Sequence, residues 1–371
     1  MKTEQDVIDR LKRLPSAVVS HDLAPEILAK VRAEANQKTG WIPSWRWVLP
    51  LAASLAVLLG GLWLAGARPM DPGRQAVAWL RQIQEPDGSW SVAKWGGDKQ
   101  FEIALTGLSL MTLMDGAPGA DPAIDKAIAY LLQQQHPDGR FGERVSGMPY
   151  NQGIATLALA KACERHPSEP LRLALEKAVA VICAGQYADG GWGYYHEAHP
   201  ASNLSITLWQ IEALRLAATQ GLPQVRPRVE RGLRWMAGVA ADDGSFGYQK
   251  SGDTPGGASQ TLTAMGAMSL LDPAHIGLVS PGRRQAIKAQ VQRLASAPGP
   301  DMDYYRRYFL TAALKKMDET SAHQGLTAMR QDLVARQIKR GDAAGSWTAD
   351  PRWGSSGGRI YATAMASLSL R

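Results

Sequence analysis

A unit of about fifty residues repeats six times along the chain, and this repeat constrains the fold more than any other feature. The clearest copy lies at 186–214, where Gln precedes an Asp-Gly-Gly-Trp turn and a Ser-Asn pair precedes an apolar run. Asp-Gly supplies the positive-φ position that ends one helix, and Ser or Asn caps the next. The glycine of the turn recurs in steps of 51, 51, 54 and 101 residues, at Gly88, Gly139, Gly190, Gly244 and Gly345. The last step is two periods, so we expect one degenerate turn near 297–300.

A second marker confirms the count of the repeats. A threonine within a small, apolar run recurs in steps of 50, 51, 56, 48 and 52 residues, at Thr106, Thr156, Thr207, Thr263, Thr311 and Thr363. The runs around it, such as 154–162 and 262–271, are apolar on all sides, whereas the segments before the turns are amphipathic. All-round apolar helices are buried, and amphipathic helices face water. The sequence therefore predicts six helical hairpins, each with an inner and an outer helix.

The hairpins are expected to close into a ring. An open solenoid needs polar capping repeats at both ends, whereas this sequence ends at Arg371 within the sixth inner helix. We predict an all-α fold, an α/α toroid of about six helical hairpins, preceded by one transmembrane helix.

The transmembrane helix is predicted at 46–67. Residues 47–67 are 21 uncharged residues in a row, and a bilayer span needs about 20. A cleaved signal peptide is the alternative, but the polar leader before this segment is too long for one. The predicted domains are an N-terminal tail at 1–45, the span at 46–67 and the toroid at 68–371. The two sides of the predicted span carry nearly the same number of basic residues. The charge difference therefore hardly indicates which way the span is oriented.

The chain is basic, with a formal net charge of +7. Lys and Arg are nevertheless dispersed, and their clusters fall on predicted outer helices or loops. Solvated helix faces explain this pattern, so we expect no nucleic-acid partner.

The repeats resemble a known family. Gln-x-x-Asp-Gly-x-Trp/Phe is similar to the QW repeat of squalene–hopene cyclases, and the period is similar to the prenyltransferase/squalene-cyclase repeat. Two segments, 190–214 and 303–314, resemble membrane-anchored bacterial members. The resemblance covers roughly 71–371. It implies a cytoplasmic tail and a single-pass inner-membrane protein whose toroid is periplasmic.

The resemblance also implies where an acid would lie. Cyclases of this family carry an Asp-x-Asp-Asp motif at the mouth of the central cavity and use a carboxylic acid to protonate their substrate. This chain has Asp301 and Asp303, but Tyr304 replaces the last aspartate. Asp301 and Asp303 are therefore the candidate catalytic residues, and capping of a helix start is the alternative that we favour.

Other chemistry finds little support in the sequence. The zinc site of a protein prenyltransferase is not matched, and His196 and His199 lack the spacing of a zinc protease. We predict no metal and no cofactor. Only four phenylalanines occur in 371 residues, which argues against the aromatic-rich lining that carbocation chemistry needs.

The mouth of the toroid is the candidate binding site. The N-terminal ends of the six inner helices meet there, and their dipoles favour an anionic or polar guest. A concave site with a few convergent polar groups is the default binding-site hypothesis. Polar and aromatic residues predicted at this mouth are Glu102, Tyr150, Asn151, Asn203, Gln260, Asp303, Tyr304, Arg307, Arg359 and Tyr361.

Three functions stay open on the sequence. The first, which we favour, is a membrane-anchored toroid that binds a lipid-like ligand or a protein partner without catalysis. The second is an enzyme that acts on a lipid-like or polysaccharide substrate. The third is a regulator resembling an anti-sigma factor, which signals through residues 1–45.

Overall fold

The computed structural model describes residues 71–116, 119–145, 147–194, 201–254, 259–296, 302–317 and 320–371, together with Ala29. Apart from Ala29, the predicted tail at 1–45 lies outside the described residues, as do the predicted span at 46–67 and the expected degenerate turn at 297–300. Every helix that the structure does describe is too short or too polar to cross a membrane.

Twelve α-helices alternate between an outer and an inner layer in the described part of the chain. The outer helices are α1 (Pro72–Ile83), α3 (Pro122–Gln134), α5 (Glu169–Ala184), α7 (Arg226–Gly238), α9 (Pro281–Ser296) and α11 (Thr320–Arg336). The inner helices are α2 (Glu102–Gly116), α4 (Met148–Arg165), α6 (Leu204–Thr219), α8 (Ser259–Leu270), α10 (Tyr304–Leu314) and α12 (Gly354–Ser369). β-Structure among the described residues is confined to isolated bridges within or next to the turns.

The two layers differ in how they are buried. In outer helix α7 the buried residues follow the spacing of a single helix face: Val229, Gly232, Leu233, Met236 and Ala237. In inner helix α2, eleven successive residues from Ala104 to Met114 are buried. Amphipathic helices therefore surround a layer of helices that are apolar all round, as the sequence predicts.

The inner helices close into a ring. Each contacts the next in chain order, and α12 contacts α2. Side-chain hydrogen bonds also join the sixth repeat to the first: Gln337 Nε2 donates to Pro72 O at 2.8 Å, and Trp79 Nε1 of the first repeat donates to Asp342 O at 3.1 Å. The prediction of an all-α toroid with six hairpins is confirmed for the described residues from 71 onward.

The repeated turn fastens each outer helix to its neighbour. Gln186 Nε2 donates to Gly190 O at 2.8 Å in its own turn and to Arg228 O at 2.9 Å in the next outer helix. Trp192 Nε1 donates to Ile182 O at 2.7 Å. Gly190 has a φ of 102°, and a Cβ there would lie 2.8 Å from Arg231 O. Glutamines that make the same pair of bonds are Gln84, Gln135 and Gln337.

Four of the six repeated threonines bond the turn of their own repeat. Thr207 Oγ1 accepts from Trp192 N at 2.9 Å, and Thr106, Thr263 and Thr363 accept from the aromatic residue of their own turns. Thr156 instead bonds the carbonyl of Gln152 one turn earlier, which is the role the residue type suggests, and Thr311 Oγ1 has no hydrogen-bond partner among the described residues. The repeated residues thus position the inner helices against the turns.

Candidate functional site

A cavity of about 460 Å³ lies at the centre of the inner ring. Residues from the N-terminal halves of all six inner helices line it, and loop residues next to those ends complete the wall. The aliphatic part of the wall consists of Ala104, Leu105, Leu108, Ile154, Leu262 and Met265. A cavity of this size is within the range of small-molecule sites.

Aromatic side chains form most of the rest of the wall. The eight that line the cavity are Phe101, Tyr150, Tyr194, Trp209, Tyr248, Tyr305, Trp353 and Tyr361. Several pack edge-on or tilted, as Tyr305 does against Trp353 and Tyr361 at centroid distances of 5.9 and 6.5 Å. The expectation drawn from the low phenylalanine count was wrong, because tyrosine and tryptophan supply the aromatic surface.

The hydroxyl groups in this wall differ in their partners. Tyr150 Oη lies 2.9 Å from Ser205 Oγ, and Ser205 Oγ donates to Asn203 Oδ1 at 3.2 Å. Tyr305 Oη accepts a short hydrogen bond from Trp209 Nε1. The hydroxyl of Tyr361 is buried and has no hydrogen-bond partner in the part of the chain described.

Two buried carboxylates lie beside this end of the cavity. Asp303 caps α10 by accepting from Arg306 N at 2.8 Å, and its other oxygen accepts from Thr261 Oγ1, a cavity residue, at 2.7 Å. Asp350 accepts from the backbone N–H of Trp353 and Tyr304. Burial, and after it the negative charge of Asp303, raises the pKa of Asp350. Asp303 therefore caps a helix, and Asp301 lies outside the described residues.

The carboxylates also act on Tyr361. Burial raises the pKa of Tyr361 well above its ordinary value, and the charges of Asp350 and Asp303 raise it further. Its hydroxyl consequently keeps its proton at any physiological pH. Arg352, which is exposed, is the cation of the cavity lining, and its guanidinium lies 5.4 Å from the centre of the Trp353 ring.

The structure separates the residues predicted at the mouth. Tyr150 and Tyr361 line the cavity. Polar residues that instead bond neighbouring backbone or side chains are Glu102, Asn151, Asn203, Gln260, Arg307 and Arg359. Tyr304 donates its backbone N–H to Asp350, and its side chain is buried in the core. Each inner helix turns only one face to the centre, so an N-terminal position alone does not place a side chain in the cavity.

Sequence reasoning missed most of the wall. Trp209 and Tyr305 belong to segments singled out for other reasons, and Tyr194, Tyr248 and Trp353 follow the turns. A usable signal is the helical spacing from a residue known to line the cavity, because Ser205 and Trp209, like Gly357 and Tyr361, are four residues apart.

The opposite end of the inner ring carries ion pairs. Asp115, near the end of α2, pairs with Lys161 of α4 at 2.6 Å. Arg215 of α6 pairs with Asp272, which follows α8, at 3.0 Å. Lys316, which follows α10, also pairs with Asp272. These pairs link the C-terminal ends of five inner helices.

Two family models match the chain. Residues 51–156 match the squalene-hopene cyclase C-terminal domain. Residues 174–339 match the prenyltransferase alpha-alpha toroid domain. Together the two matches include five of the six outer helices and the inner helices α2, α6, α8 and α10 in full.

Curated relatives include terpene cyclases. Drimenyl diphosphate synthase from Streptomyces showdoensis is 31% identical over 194 residues, which are 50% of this chain and 34% of the relative. Squalene–hopene cyclase from Zymomonas mobilis is 24% identical over 211 residues, which are 49% of this chain and 31% of the relative. The chain spans about a third of the length of these relatives.

Solved structures share the toroid. A type II terpene cyclase from Scytonema is 19% identical, with a TM-score of 0.54 and coverage of 81% of this chain and 96% of that one. An α-1,6-mannanase of Salegentibacter is 10% identical, with a TM-score of 0.57 and coverage of 81% and 98%. At such identities the likeness shows the fold alone, and the fold hosts more than one chemistry.

Proposed function

Because the chain belongs to the prenyltransferase/squalene-cyclase repeat family, we propose that its central cavity binds an elongated, apolar ligand of the isoprenoid class. The observation that carries the proposal is the cavity wall, in which eight aromatic side chains and the aliphatic residues around Leu262 surround about 460 Å³. The curated relatives are named for terpene products, which are ligands of the same chemistry.

The physical argument is the removal of apolar surface from water. Each square ångström of apolar surface that a ligand buries contributes about 25 cal/mol. Aromatic rings bury large areas and also attract cationic groups to their faces. An isoprenoid offers an apolar body that such a wall can enclose.

The same wall argues against a glycan. Glycoside hydrolysis uses two carboxyl groups that flank the scissile bond. The cavity lining contains no carboxylate among the described residues, since Asp303 and Asp350 lie behind it. The likeness to a mannanase therefore extends to the fold and not to this site.

A cavity-filling variant tests the proposal. Leu262 lines the cavity and is 3% exposed, whereas Leu173 on outer helix α5 is 44% exposed. We expect Leu262→Trp to abolish binding of farnesene, a plain isoprenoid hydrocarbon, to the full chain, because the larger side chain occupies the ligand's space. The matched control Leu173→Trp should bind as the wild type does. Native mass spectrometry and quenching of tryptophan fluorescence both measure this.

Two outcomes would sink the proposal. One is a wild-type chain that binds no isoprenoid hydrocarbon. The other is equal binding by Leu262→Trp and Leu173→Trp, which would place the ligand outside the cavity.

A proton-initiated cyclase is the second candidate. The observation that favours it is the buried Asp303–Asp350 pair at one end of the cavity, where burial and the neighbouring charge raise the pKa of Asp350. Incubation with farnesyl diphosphate, geranylgeranyl diphosphate and squalene, followed by mass spectrometry of products, tests it. A cyclic product that disappears in both Asp303→Asn and Asp350→Asn would support it, and unchanged substrates would reject it for these three.

Membrane anchoring extends the proposal. Residues 46–67 would supply a single span, with residues 1–45 in the cytoplasm, and would keep the toroid at a surface where isoprenoids dissolve. The expected result is that alkaline carbonate leaves the full chain with the membrane and releases a chain that lacks 46–67. Release of both would refute the anchor.

A further inference from the structure

The central cavity has a floor inside the ring. On four of the inner helices, the lining residues furthest from the N-terminal end are Leu108, Ile154, Trp209 and Met265. Each of them lies within the first two turns of its helix, and none is more than 5% exposed. The cavity therefore ends well before the ion-paired end of the ring.

An aromatic cluster closes the ring beneath this floor. Trp209 stacks on Tyr308 with an interplanar angle of 11° and a centroid distance of 6.3 Å, and it packs edge-on against Phe309 at 5.6 Å. Tyr308 and Phe309 are not among the described residues that line the cavity. Burial raises the pKa of Tyr308, and the charges of Glu212 and Asp115 raise it further, so Tyr308 lies towards the ion pairs. An apolar tail that enters from the mouth stops at this cluster.

The volume of the cavity limits the length of that tail. A water molecule has one non-hydrogen atom and occupies about 30 Å³ of the liquid. At the same density, the cavity of about 460 Å³ holds roughly fifteen non-hydrogen atoms. An isoprene unit contributes five carbon atoms, so this space corresponds to three units. Squalene, with thirty carbon atoms, would need about twice the volume.

Leu108 and Met265 are the floor residues whose size sets the depth. Both side chains are apolar and buried, at 2% and 1% exposure, and both line the cavity. Replacing either by Ala removes three non-hydrogen atoms from the floor. The two replacements together remove six, which is close to the size of one isoprene unit.

From these observations we infer that the cavity selects an isoprenoid of three units, with fifteen carbon atoms, and that Leu108 and Met265 set this limit. The inference rests on the proposed function and deepens it, because it names the length of the ligand. A longer isoprenoid leaves its extra units outside the cavity, where they bury no further apolar surface.

Three alcohols that share one head group test the limit: geraniol, farnesol and geranylgeraniol, with ten, fifteen and twenty carbon atoms. Each is titrated into the wild-type full chain. We expect farnesol to bind about tenfold or more tightly than geraniol, because its third unit is buried. Geranylgeraniol should bind no more tightly than farnesol, because the floor excludes its fourth unit.

The double variant Leu108→Ala/Met265→Ala should move this limit by one unit. In this variant geranylgeraniol is expected to bind on the order of tenfold more tightly than farnesol. The matched control is Leu110→Ala/Leu270→Ala, which removes the same number of atoms from other faces of the same two helices. Leu110 and Leu270 are both 0% exposed and are not among the described lining residues. The control should keep the wild-type order of the three alcohols.

A second variant makes the floor higher and keeps the inference testable if the alanine double variant does not fold. Leu108→Phe adds three non-hydrogen atoms at the floor. We expect it to weaken farnesol about tenfold, to the affinity of geraniol, and to leave geraniol unchanged, because two units still fit.

The outcomes separate this inference from the proposed function. If wild-type affinity rises from farnesol to geranylgeraniol as steeply as from geraniol to farnesol, the inference is wrong while the cavity remains the binding site. It is also wrong if the alanine double variant keeps the wild-type order, if its control changes that order equally, or if Leu108→Phe binds farnesol as the wild type does. If the wild type binds none of the three alcohols, the proposed function falls and the inference falls with it.

Discussion

Two tryptophans of the third repeat, seventeen residues apart, have opposite roles. Trp192 in the outer turn is fully buried at 0% exposure, and its indole bonds Ile182 O. Trp209 on inner helix α6 is equally buried at 1%, but it lines the cavity and bonds Tyr305. Burial and residue type are the same in the two places, and only the surface that each ring faces differs.

The difference separates the turns from the cavity wall. Aromatic residues of the turns recur with the repeat, because every hairpin needs the same fastening to its neighbour. Aromatic residues of the wall recur only in part: Tyr194 and Tyr248 each lie four residues after the glycine of a turn, whereas Trp209 has no aromatic counterpart in the other inner helices. Recurrence within the turns therefore marks the scaffold, but recurrence alone does not tell wall residues from scaffold residues.

Replacing the two tryptophans should give the largest contrast. Trp192→Ala is expected to lower the free energy of unfolding by about 3–5 kcal/mol, since it empties a filled core position. Trp209→Ala should cost less, because one side of its ring already borders the cavity. It should nonetheless weaken farnesene binding by on the order of tenfold, as loss of a buried aromatic anchor does. Equilibrium denaturation and ligand titration measure the two effects.

One result would contradict the predicted contrast between Trp192 and Trp209. If the Trp192→Ala protein, where still folded, loses as much farnesene affinity as Trp209→Ala, the turns and the wall are not separate in function.

Ring closure should show an intermediate effect. Gln337→Ala removes both bonds from Nε2, to Gly345 O and Pro72 O. Two carbonyl groups then lose a partner, and we expect about 1–3 kcal/mol lower stability with unchanged ligand affinity per folded molecule. Gln260→Ala, at an exposed position, is the control and should change the free energy of unfolding little. Equal stabilities would show that the closure depends on helix packing alone.

The smallest effect concerns the ion-paired end of the ring. Burial alone raises the pKa of Asp272, but hydrogen bonds from Lys316 and from the backbone N–H of Ala274 outweigh it and hold the pKa well below its ordinary value. The carboxylate therefore stabilises the fold above its unfolded pKa of about 3.9. This contribution is lost as the pH falls through the lower, folded-state pKa.

Stability measured against pH tests this assignment. The wild type should lose stability below about pH 4 more steeply than Asp272→Asn, whose side chain does not titrate. Parallel profiles of stability against pH for the two proteins would show that Asp272 does not cause the loss of stability in acid. Ligand affinity, measured at neutral pH, should be the same for both.

The fold could be predicted in detail because its determinants repeat. Gln186, Gly190 and Thr207 each have counterparts at regular spacing, and most of these counterparts make the same kind of contact. The predicted span at 46–67 and the tail at 1–45 stay predictions.

The site could be predicted only in part. Tyr150 and Tyr361 came from their positions at helix starts, but Asn151 and Arg359 occupy equivalent positions and face elsewhere. The face that an inner helix turns to the centre depends on its packing against two neighbouring helices. The rotation of the helix about its own axis cannot be predicted from residue spacing along one chain. The low phenylalanine count also gave a wrong expectation about the cavity lining, because it says nothing about tyrosine and tryptophan.

A crystal structure of the full chain grown with farnesol tests the central claim most directly, because the claim concerns where the ligand lies. We predict farnesol inside the inner ring, with its chain against Trp209 and Leu262. A cavity filled by ordered water, with farnesol absent or bound on the outer surface, would contradict the account.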